Sequence, residues 1–470
     1  MLMQQGPVAA AAAAAVELGG SGASAKEEEV QSALGGEKVR PKWRSETEFL
    51  LTLVGYAVGI GNVWRFPYLC FSNGGACFLI PYLLTLCFLG IPIFCLELAC
   101  GQRFRKDSLS VWPSIHPALG GIGVSSVLTT FYVSIYYNVI LAWALVYFGA
   151  SFTSPLPWAI AQDANGNVTM DADIYFEDEV LQKSDGFADL DGVPWRLFLC
   201  LLVAWLLIYA IIYKGIESSG RVVYFTSTFP YLVLTVMVLR GVTLPGASAG
   251  LRFYLVPDWA KLADPSVWVK AANQVFFSLG VGWGTHLTYA SYNPTNHNFL
   301  RTTWLVPSIN AATSFYAGFA VFGTLGYLAH RTGTDVADLQ AGGFGLAFVA
   351  YPAALDHLGA GAANCFSVLF FFMLVLLAID SAFALTETVI VAVIESGALE
   401  RSGLLGYGGR VAGGRTAADH KQKITAAVCV FSWLLGFFCI SRGGFYWVYV
   451  CRAEMTFFFF LSLFFLLFVH

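Results

Sequence analysis

The sequence predicts an all-α integral membrane protein of about ten transmembrane helices. Of its 470 residues, 57% are hydrophobic and only 12% are charged, whereas a soluble domain carries about a quarter charged residues. Apolar stretches recur at lengths close to the roughly 20 residues that a helix needs to cross a bilayer. A soluble protein with buried helices is the alternative, and this composition fits it poorly.

The chain begins with a polar segment, and we expect residues 1–43 to form a disordered tail. Residues 1–39 are rich in Ala, Gly and Ser and contain a Lys-Glu-Glu-Glu patch, a composition that buries little apolar surface. The alanine run at 9–15 lacks the basic leading segment and leucine-rich core of a signal peptide.

The predicted spans, numbered in chain order, form two groups of five. The first group occupies 44–240 and contains a long polar loop at 152–195; a connection at 241–267 leads to the second group at 268–470, whose composition is atypical after about residue 454. Spans 1 to 10 lie at 48–70, 76–100, 122–150, 196–213, 219–240, 268–294, 304–328, 362–394, 424–440 and 445–469. All ten cysteines lie in or beside these stretches without metal-ligand spacing, which is typical of small core residues.

The distribution of Lys and Arg predicts the orientation. The loop at 152–195 is acidic and carries Lys183 alone, while basic residues concentrate in the segments that lie on the other side. The positive-inside rule therefore predicts a cytoplasmic amino terminus and an extracellular acidic loop. That loop contains Asn167-Val168-Thr169, a glycosylation sequon with Asn167 as the acceptor.

Span 1 contains an unusual segment at 55–67, Gly-Tyr-Ala-Val-Gly-Ile-Gly-Asn-Val-Trp-Arg-Phe-Pro. Glycine leaves the backbone adaptable and proline removes a donor, so we expect the helix to break here. A small-residue helix-packing face would explain Gly55 and Gly59, but it would not explain Asn62 or Arg65.

Span 6 repeats this pattern, because Gly280, Gly282 and Gly284 interrupt it. Two broken helices at matching places in two halves point to a transporter binding site near the bilayer midplane. Half-helix amino termini attract anions, and freed carbonyls coordinate cations. Coincidence of two glycine-rich spans is the alternative.

Acidic residues at membrane depth add to this prediction. Glu97, Asp380 and Glu387 lie within spans 2 and 8, and an Asp at the helix centre costs about 2.5–3.5 kcal/mol on insertion scales. They should therefore face the protein interior. Asp380 and Ser381 place oxygen ligands side by side, as a hard monovalent cation requires; a buried polar network that only joins helices is the alternative.

Four motifs resemble those of the neurotransmitter:sodium symporter family of sodium- and chloride-dependent transporters. They are Gly-Asn-Val-Trp-Arg-Phe-Pro at 61–67, Tyr-Tyr-Asn at 136–138, Phe-Phe-Ser-Leu at 276–279 and Ile-Asp-Ser at 379–381. The resemblance extends from about Arg40 into span 9, and residues 101–119 look like the neutral amino acid members. It implies a leucine-transporter-like fold, a 5+5 inverted repeat with broken helices 1 and 6. The family has twelve spans with an acidic partner for Arg65 in span 10, so we expect a truncated or atypical second repeat here.

The resemblance also implies three ion sites. One sodium site would use the substrate carboxylate with Ala57, Asn62, Ser278 and Asn310. A second sodium site would use carbonyls and side chains of Gly55, Val58, Leu377, Asp380 and Ser381. A chloride site would use Tyr82, Gln274, Ser278, Asn310 and Ser314. Ser314 stands where chloride-independent relatives carry a carboxylate, so chloride dependence is expected.

The same resemblance predicts the substrate class. Monoamine members carry Asp at the position of Gly59, whereas Gly59 leaves room for a substrate carboxylate held by sodium, by amides near Ile60 and Gly61, and by the Tyr137 hydroxyl. The other residues expected around the substrate are uncharged: Ala57, Val133, Phe277, Ser278, Gly280, Trp283, Ala382 and Leu385. A charged side chain would find no partner there. The bulk of Trp283 favours a small substrate, although Gly280 returns volume.

Family gate residues are also matched. Arg40, Trp43 and Glu395 match the inner gate, with Tyr289 assisting. Arg65 and Phe277 match the outer gate, and residues 220–230 of span 5, from Gly220 to Pro230, match a hinge.

These observations predict a plasma-membrane symporter that moves a small neutral amino acid by alternating access. Sodium, with two ions expected, and chloride would be co-transported, without a cofactor or a nucleic-acid partner. The alternative is a truncated, non-transporting member that binds substrate or serves as an accessory protein. An enzyme is not expected, because the sequence presents no nucleophile–base pair and no metal cluster.

Overall fold

The computed structural model describes residues 41–162, 168–190, 192–339, 343–396 and 414–450. Helices dominate these residues, which confirms the predicted all-helical membrane protein. The first five predicted spans contain the helices Glu46–Ala57, Ile60–Val63, Arg65–Ser72, Leu79–Thr85, Ile91–Phe104, Gly120–Ala150, Trp195–Ile212, Ile216–Thr226 and Phe229–Thr243. The later spans contain Pro265–Leu279, Thr285–Ala290, Phe299–Thr332, Ala360–Glu395 and Gly414–Ile440.

Short elements fill the connections. They include the helices Ser108–Ile115, Ala172–Ile174, Ala247–Leu255 and Tyr351–Asp356. Strands Ala161–Gln162 and Val168–Met170 pair antiparallel in the acidic loop. Short 3-10 turns occupy Gly75–Phe78, Pro117–Leu119, Trp259–Ala263 and Val336–Asp338, and π-helical turns occupy Leu86–Gly90, Tyr175–Leu181 and Leu346–Ala350.

Among the described residues, seven helices are long and apolar enough to cross a membrane, and the bent pair Glu46–Ala57 and Ile60–Ser72 brings the number to eight. Span 6 is divided into two shorter helices. Span 10 lies mostly outside the described residues. Trp43 differs from the expectation, because we included it in the tail and the structure buries its indole in the core.

Spans 3 and 8 form the centre of the protein. They are the most buried of the long spans and pack against each other, while spans 2 and 4 turn much of their surface outward. That outer surface is apolar, as at Phe88 (73% exposed). Such a surface fits lipid and not water, since lipid imposes no penalty on exposed hydrocarbon.

Breaks in spans 1 and 6 position the centre, and left-handed glycines form the second of them. Span 1 bends by 55° between Ala57 and Ile60. In span 6, Gly280, Gly282 and Gly284 have φ values of +65°, +83° and +78°, in the left-handed region that side chains rarely adopt. Spans 1 and 6 are therefore both interrupted, and the left-handed glycines account for the interruption of span 6.

Candidate functional site

A small cavity lies between the two broken spans and spans 3 and 8. Its wall is uncharged and mixes backbone with aromatic and small polar side chains. The lining residues are Tyr56, Ala57, Gly59, Gly61, Asn62, Tyr137, Phe277, Ser278, Gly280, Trp283, Ser381 and Leu385.

The polar end of the cavity surrounds Gly59. A Cβ at Gly59 would lie 2.7 Å from both the Tyr137 hydroxyl and the Ser381 hydroxyl. The amide of Ile60 donates to the Tyr137 hydroxyl across 3.4 Å. Hydroxyl and amide groups thus converge where the side chain is missing, beside the amino-terminal end of the helix Ile60–Val63.

The opposite end is shaped by aromatic rings. Phe277 and Trp283 meet edge to face with ring centroids 6.0 Å apart. The Tyr56 hydroxyl donates to the Gly280 carbonyl across 3.4 Å, and a Cβ at Gly280 would lie 2.2 Å from that hydroxyl. Tyr56 therefore fills the space that we expected Gly280 to return to the substrate.

Three residues that we expected around the substrate do not line this cavity, although all are buried: Ile60, Val133 and Ala382. Ala382 follows Ser381 on a helix and so points about 100° away from it, whereas Leu385 is four residues on and shares its face. Val133 lies one turn from Tyr137, and Ile60 reaches Tyr137 only through its amide.

The polar side chains expected at the first sodium site form one buried network. Asn62 Nδ2 donates to Asn310 Oδ1 across 2.7 Å and to the Ser314 hydroxyl across 2.8 Å. Asn310 Nδ2 donates to the Ser278 hydroxyl across 2.9 Å. Ala57 ends its helix at the break, where carbonyls lose their helical partners. The network joins spans 1, 6 and 7 beside the cavity.

The residues expected to hold chloride continue this network with unused donors. The Tyr82 hydroxyl faces that of Ser314. The Tyr82 hydroxyl and Gln274 Nε2 are both buried, and neither has a hydrogen-bond partner of good geometry among the described residues. Buried donors of this kind are costly unless paired, so this donor set suits an anion.

The second expected sodium site centres on Asp380. Its Oδ2 accepts a 2.9 Å hydrogen bond from the Ser227 hydroxyl, and its Oδ1 is buried without a partner among the described residues. A Cβ at Gly55 would lie 2.5 Å from Oδ2, so only glycine lets the carboxylate approach the backbone of span 1. Ser381 donates to the Tyr56 carbonyl across 3.1 Å.

The remaining two residues of this set are placed by helix geometry. Val58 lies in the break of span 1, after the helix Glu46–Ala57. Leu377 lies one turn before Asp380 on the helix Ala360–Glu395. Both are buried.

Ser227 was missed in the sequence. It lies at an interruption of span 5, between the helices Ile216–Thr226 and Phe229–Thr243, and also donates to the Leu51 carbonyl across 3.2 Å. The hinge predicted for Gly220 to Pro230 contains this interruption. The nearby proline was the available signal, but it gave no indication that Ser227 contacts Asp380.

The gate residues within the described part of the chain make specific contacts. Trp43 Nε1 donates to the Tyr289 carbonyl across 3.0 Å, and Glu395 Oε2 accepts from the Asp107 amide across 3.1 Å. The Arg65 guanidinium lies 4.4 Å above the Phe277 ring. Arg40, expected at the inner gate, and Asn167, expected as a glycosylation site, lie outside the described residues.

Comparison with known proteins identifies relatives along most of the chain. The family model described as sodium:neurotransmitter symporter family matches residues 40–469. A sodium- and chloride-dependent taurine transporter of Bos taurus is 39% identical over 430 residues, covering 87% of this chain and 67% of the relative. A sodium- and chloride-dependent neutral and basic amino acid transporter B(0+) of Mus musculus is 39% identical over 458 residues, covering 87% of this chain and 68% of the relative.

A solved structure has the same fold. The crystal structure of MhsT in complex with L-phenylalanine superimposes with a TM-score of 0.72 at 24% sequence identity, covering 90% of this chain and 88% of that chain.

Proposed function

The chain belongs to the sodium:neurotransmitter symporter family, and from this premise we propose that it is a sodium- and chloride-dependent symporter of a small neutral amino acid. The family consists of secondary transporters and not of enzymes, so the cavity is a candidate transport site. The observation that carries the proposal is the uncharged cavity beside Gly59, where the Tyr137 hydroxyl meets the start of the helix Ile60–Val63.

The polar end of the cavity supports binding of a substrate carboxylate. The Tyr137 hydroxyl lines the cavity beside Gly59 and accepts from the Ile60 amide, and the helix Ile60–Val63 begins there. Amides at a helix start favour an anionic group. An Asp at position 59 would displace the Tyr137 and Ser381 hydroxyls and place a second negative charge beside the substrate carboxylate.

The rest of the cavity supports a small, neutral substrate side chain. No lining residue carries a charge, so a cationic or anionic side chain would be desolvated without a partner. Trp283 and Tyr56 occupy the distal end. These rings leave little room beyond a short side chain.

We assign the three ions to the buried polar network around Asn62, to the surroundings of Asp380, and to the residues around Tyr82 that continue the network. One sodium ion would bind at the network of Asn62, Ser278 and Asn310, and a second at Asp380. Chloride would bind between Tyr82, Gln274 and Ser314, where the buried Tyr82 hydroxyl and Gln274 Nε2 have no well-oriented partner in the described part of the chain. Each sodium charge that crosses 100 mV releases roughly 2.3 kcal/mol, which suffices to concentrate a neutral solute.

The proposed location is the plasma membrane, with the amino terminus in the cytoplasm. The excess of Lys and Arg on that side of the spans supports this orientation. In this orientation Trp43 and Glu395 belong to the cytoplasmic gate and Arg65 to the extracellular one.

Uptake into liposomes tests the proposal. The purified chain would be reconstituted with an inward sodium gradient and offered labelled glycine, alanine, leucine, lysine, taurine and dopamine. We expect uptake of the small neutral amino acids, its loss when choline replaces sodium, and a strong decrease when gluconate replaces chloride.

Two results would contradict the proposal. Sodium-independent uptake would exclude the coupling mechanism, and preference for dopamine or lysine would exclude the substrate class. Equilibrium binding of the same labelled substrates to the same preparation distinguishes the non-transporting alternative, which predicts sodium-dependent binding without accumulation.

A further inference from the structure

The break in span 6 removes helical partners from the backbone next to the cavity. Leu279 is the last residue of the helix Pro265–Leu279. In a continuous helix its carbonyl would accept from the amide four residues on, that of Trp283. The left-handed glycines between them prevent this, so the carbonyl needs another partner at a depth where no lipid group can supply one.

His286 provides that partner from the other side of the break. Its Nε2 lies 2.5 Å from the Leu279 carbonyl oxygen, and since the carbonyl only accepts, Nε2 must carry the proton. His286 belongs to the following helix, Thr285–Ala290. The hydrogen bond therefore connects the two halves of the broken span directly.

Packing fixes the imidazole in this position. The side chain is fully buried, and the ring meets Phe94 of span 2 at 4.5 Å and Tyr56 of span 1 at 5.0 Å, both edge to face. Nδ1 has no hydrogen-bond partner within the described part of the chain. The ring thus makes one directional contact, and that contact is with Leu279.

The other backbone groups of the break are held from neighbouring spans. Glu97 Oε1 accepts from the Gly282 amide across 2.7 Å, and the Thr130 hydroxyl donates to the Trp283 carbonyl across 2.6 Å. Tyr56, which contacts the His286 ring, also donates to the Gly280 carbonyl. His286 differs from these residues because it belongs to the broken span itself.

We propose that His286 is a positioning residue for the substrate site. Its hydrogen bond holds the carbonyl end of the first half-helix, and so fixes Ser278 and Gly280, which flank Leu279 and line the cavity. This inference rests on the proposed transport function. It assigns to His286 a role in substrate affinity that does not require contact with the substrate.

Three variants of His286 test the proposal in the reconstituted full chain. His286→Leu removes the donor. His286→Gln retains an N–H close to the position of Nε2. His286→Asn places its amide near the position of Nδ1, too short to reach Leu279. We expect the KM for the transported amino acid to rise about tenfold in His286→Leu and His286→Asn, equivalent to ~1.4 kcal/mol. In His286→Gln the KM should stay near the wild-type value.

The kinetic pattern separates positioning from stability. Vmax would be normalised to the amount of reconstituted protein. His357→Leu serves as a control, because the hydrogen bond that Tyr327 donates to residue 357 goes to the backbone carbonyl, which the substitution retains. An unchanged KM in His286→Asn, or an equal rise of the KM in His286→Gln and His286→Asn, would overturn the proposal. If His286→Leu does not fold, the comparison of His286→Gln with His286→Asn still decides between the two outcomes. Absence of sodium-dependent uptake by the wild-type chain would instead refute the proposed function.

Discussion

Gly59→Ala is the smallest change that tests the carboxylate site. Gly59 has φ −113° and ψ −167°, an extended conformation that alanine also adopts. The substitution therefore introduces no backbone strain. Its effect must come from the added methyl group, which would project between the Tyr137 and Ser381 hydroxyls.

The structure gives the size of the conflict. The new Cβ would lie 2.7 Å from each hydroxyl oxygen, whereas ordinary contacts begin at 3.4 Å, a deficit of 0.7 Å on each side. Overpacking a well-filled site typically costs about 1–3 kcal/mol of stability. If the site relieves this strain by moving the hydroxyls away from the substrate, a loss of that size in binding free energy corresponds to roughly 5- to 150-fold in affinity. We expect the KM for the amino acid to rise by about tenfold or more, since the methyl also occupies the proposed carboxylate position.

The assay is sodium-driven uptake of a labelled neutral amino acid over a range of concentrations, normalised to protein in the membrane. Gly361→Ala is the matched control, because no atom lies within 4 Å of a Cβ at that position, and it should transport like the wild type. If Gly59→Ala has the KM of the control, the carboxylate does not bind beside Gly59.

Three further predictions concern the ions and the inner gate. Tyr82→Phe removes a buried hydroxyl that has no hydrogen-bond partner of good geometry among the described residues. The chloride concentration for half-maximal uptake should therefore rise about fivefold, ~1 kcal/mol, without a matching change for sodium. An unchanged chloride curve would remove Tyr82 from the site. Ser227→Ala removes the hydrogen bond to Asp380, so half-maximal uptake should need about tenfold more sodium. The control Thr235→Val loses only a hydrogen bond within its own helix and should match the wild type. Trp43→Phe loses the hydrogen bond to the Tyr289 carbonyl, worth about 0.5–1.5 kcal/mol. This variant should therefore increase the labelling of an introduced cysteine on the inner path. Labelling equal to that of the unsubstituted Trp43 protein would mean that Trp43 does not stabilise the closed gate.

Hydropathy was sufficient to predict an all-helical membrane protein, because lipid permits few alternatives, whereas the leucine-transporter-like fold was an implication of the family motifs. A spanning segment must satisfy its own backbone, so apolar length translates into helices. The same reasoning could not predict short elements outside the bilayer. The helix Ala247–Leu255 and the strand pair at 161–162 and 168–170 lie in segments that we expected to be loops, where neither length nor periodicity distinguishes structure.

The site was predictable where a motif determines the backbone and less so where packing determines it. Nine of the twelve residues expected around the substrate line the cavity, because the glycine motifs fix both breaks. Tyr56 and Ser227 were missed. Tyr56 lies at the end of the helix Glu46–Ala57, and its contact with Gly280 brings it to the cavity. Ser227 meets Asp380 across 153 positions of sequence, a contact that neither residue's neighbours reveal.

Gln274 would connect the proposed outer gate with the proposed chloride site. Its Oε1 accepts a 2.7 Å hydrogen bond from Arg65, while its buried Nε2 has no partner in the described part of the chain. An amide carries an acceptor and a donor on one planar group, so an anion that binds Nε2 also restrains Oε1. Glutamate at this position would retain the contact with Arg65 but would turn negative charge toward chloride. A side chain that serves both sites must therefore be neutral and bifunctional, a requirement that glutamine meets.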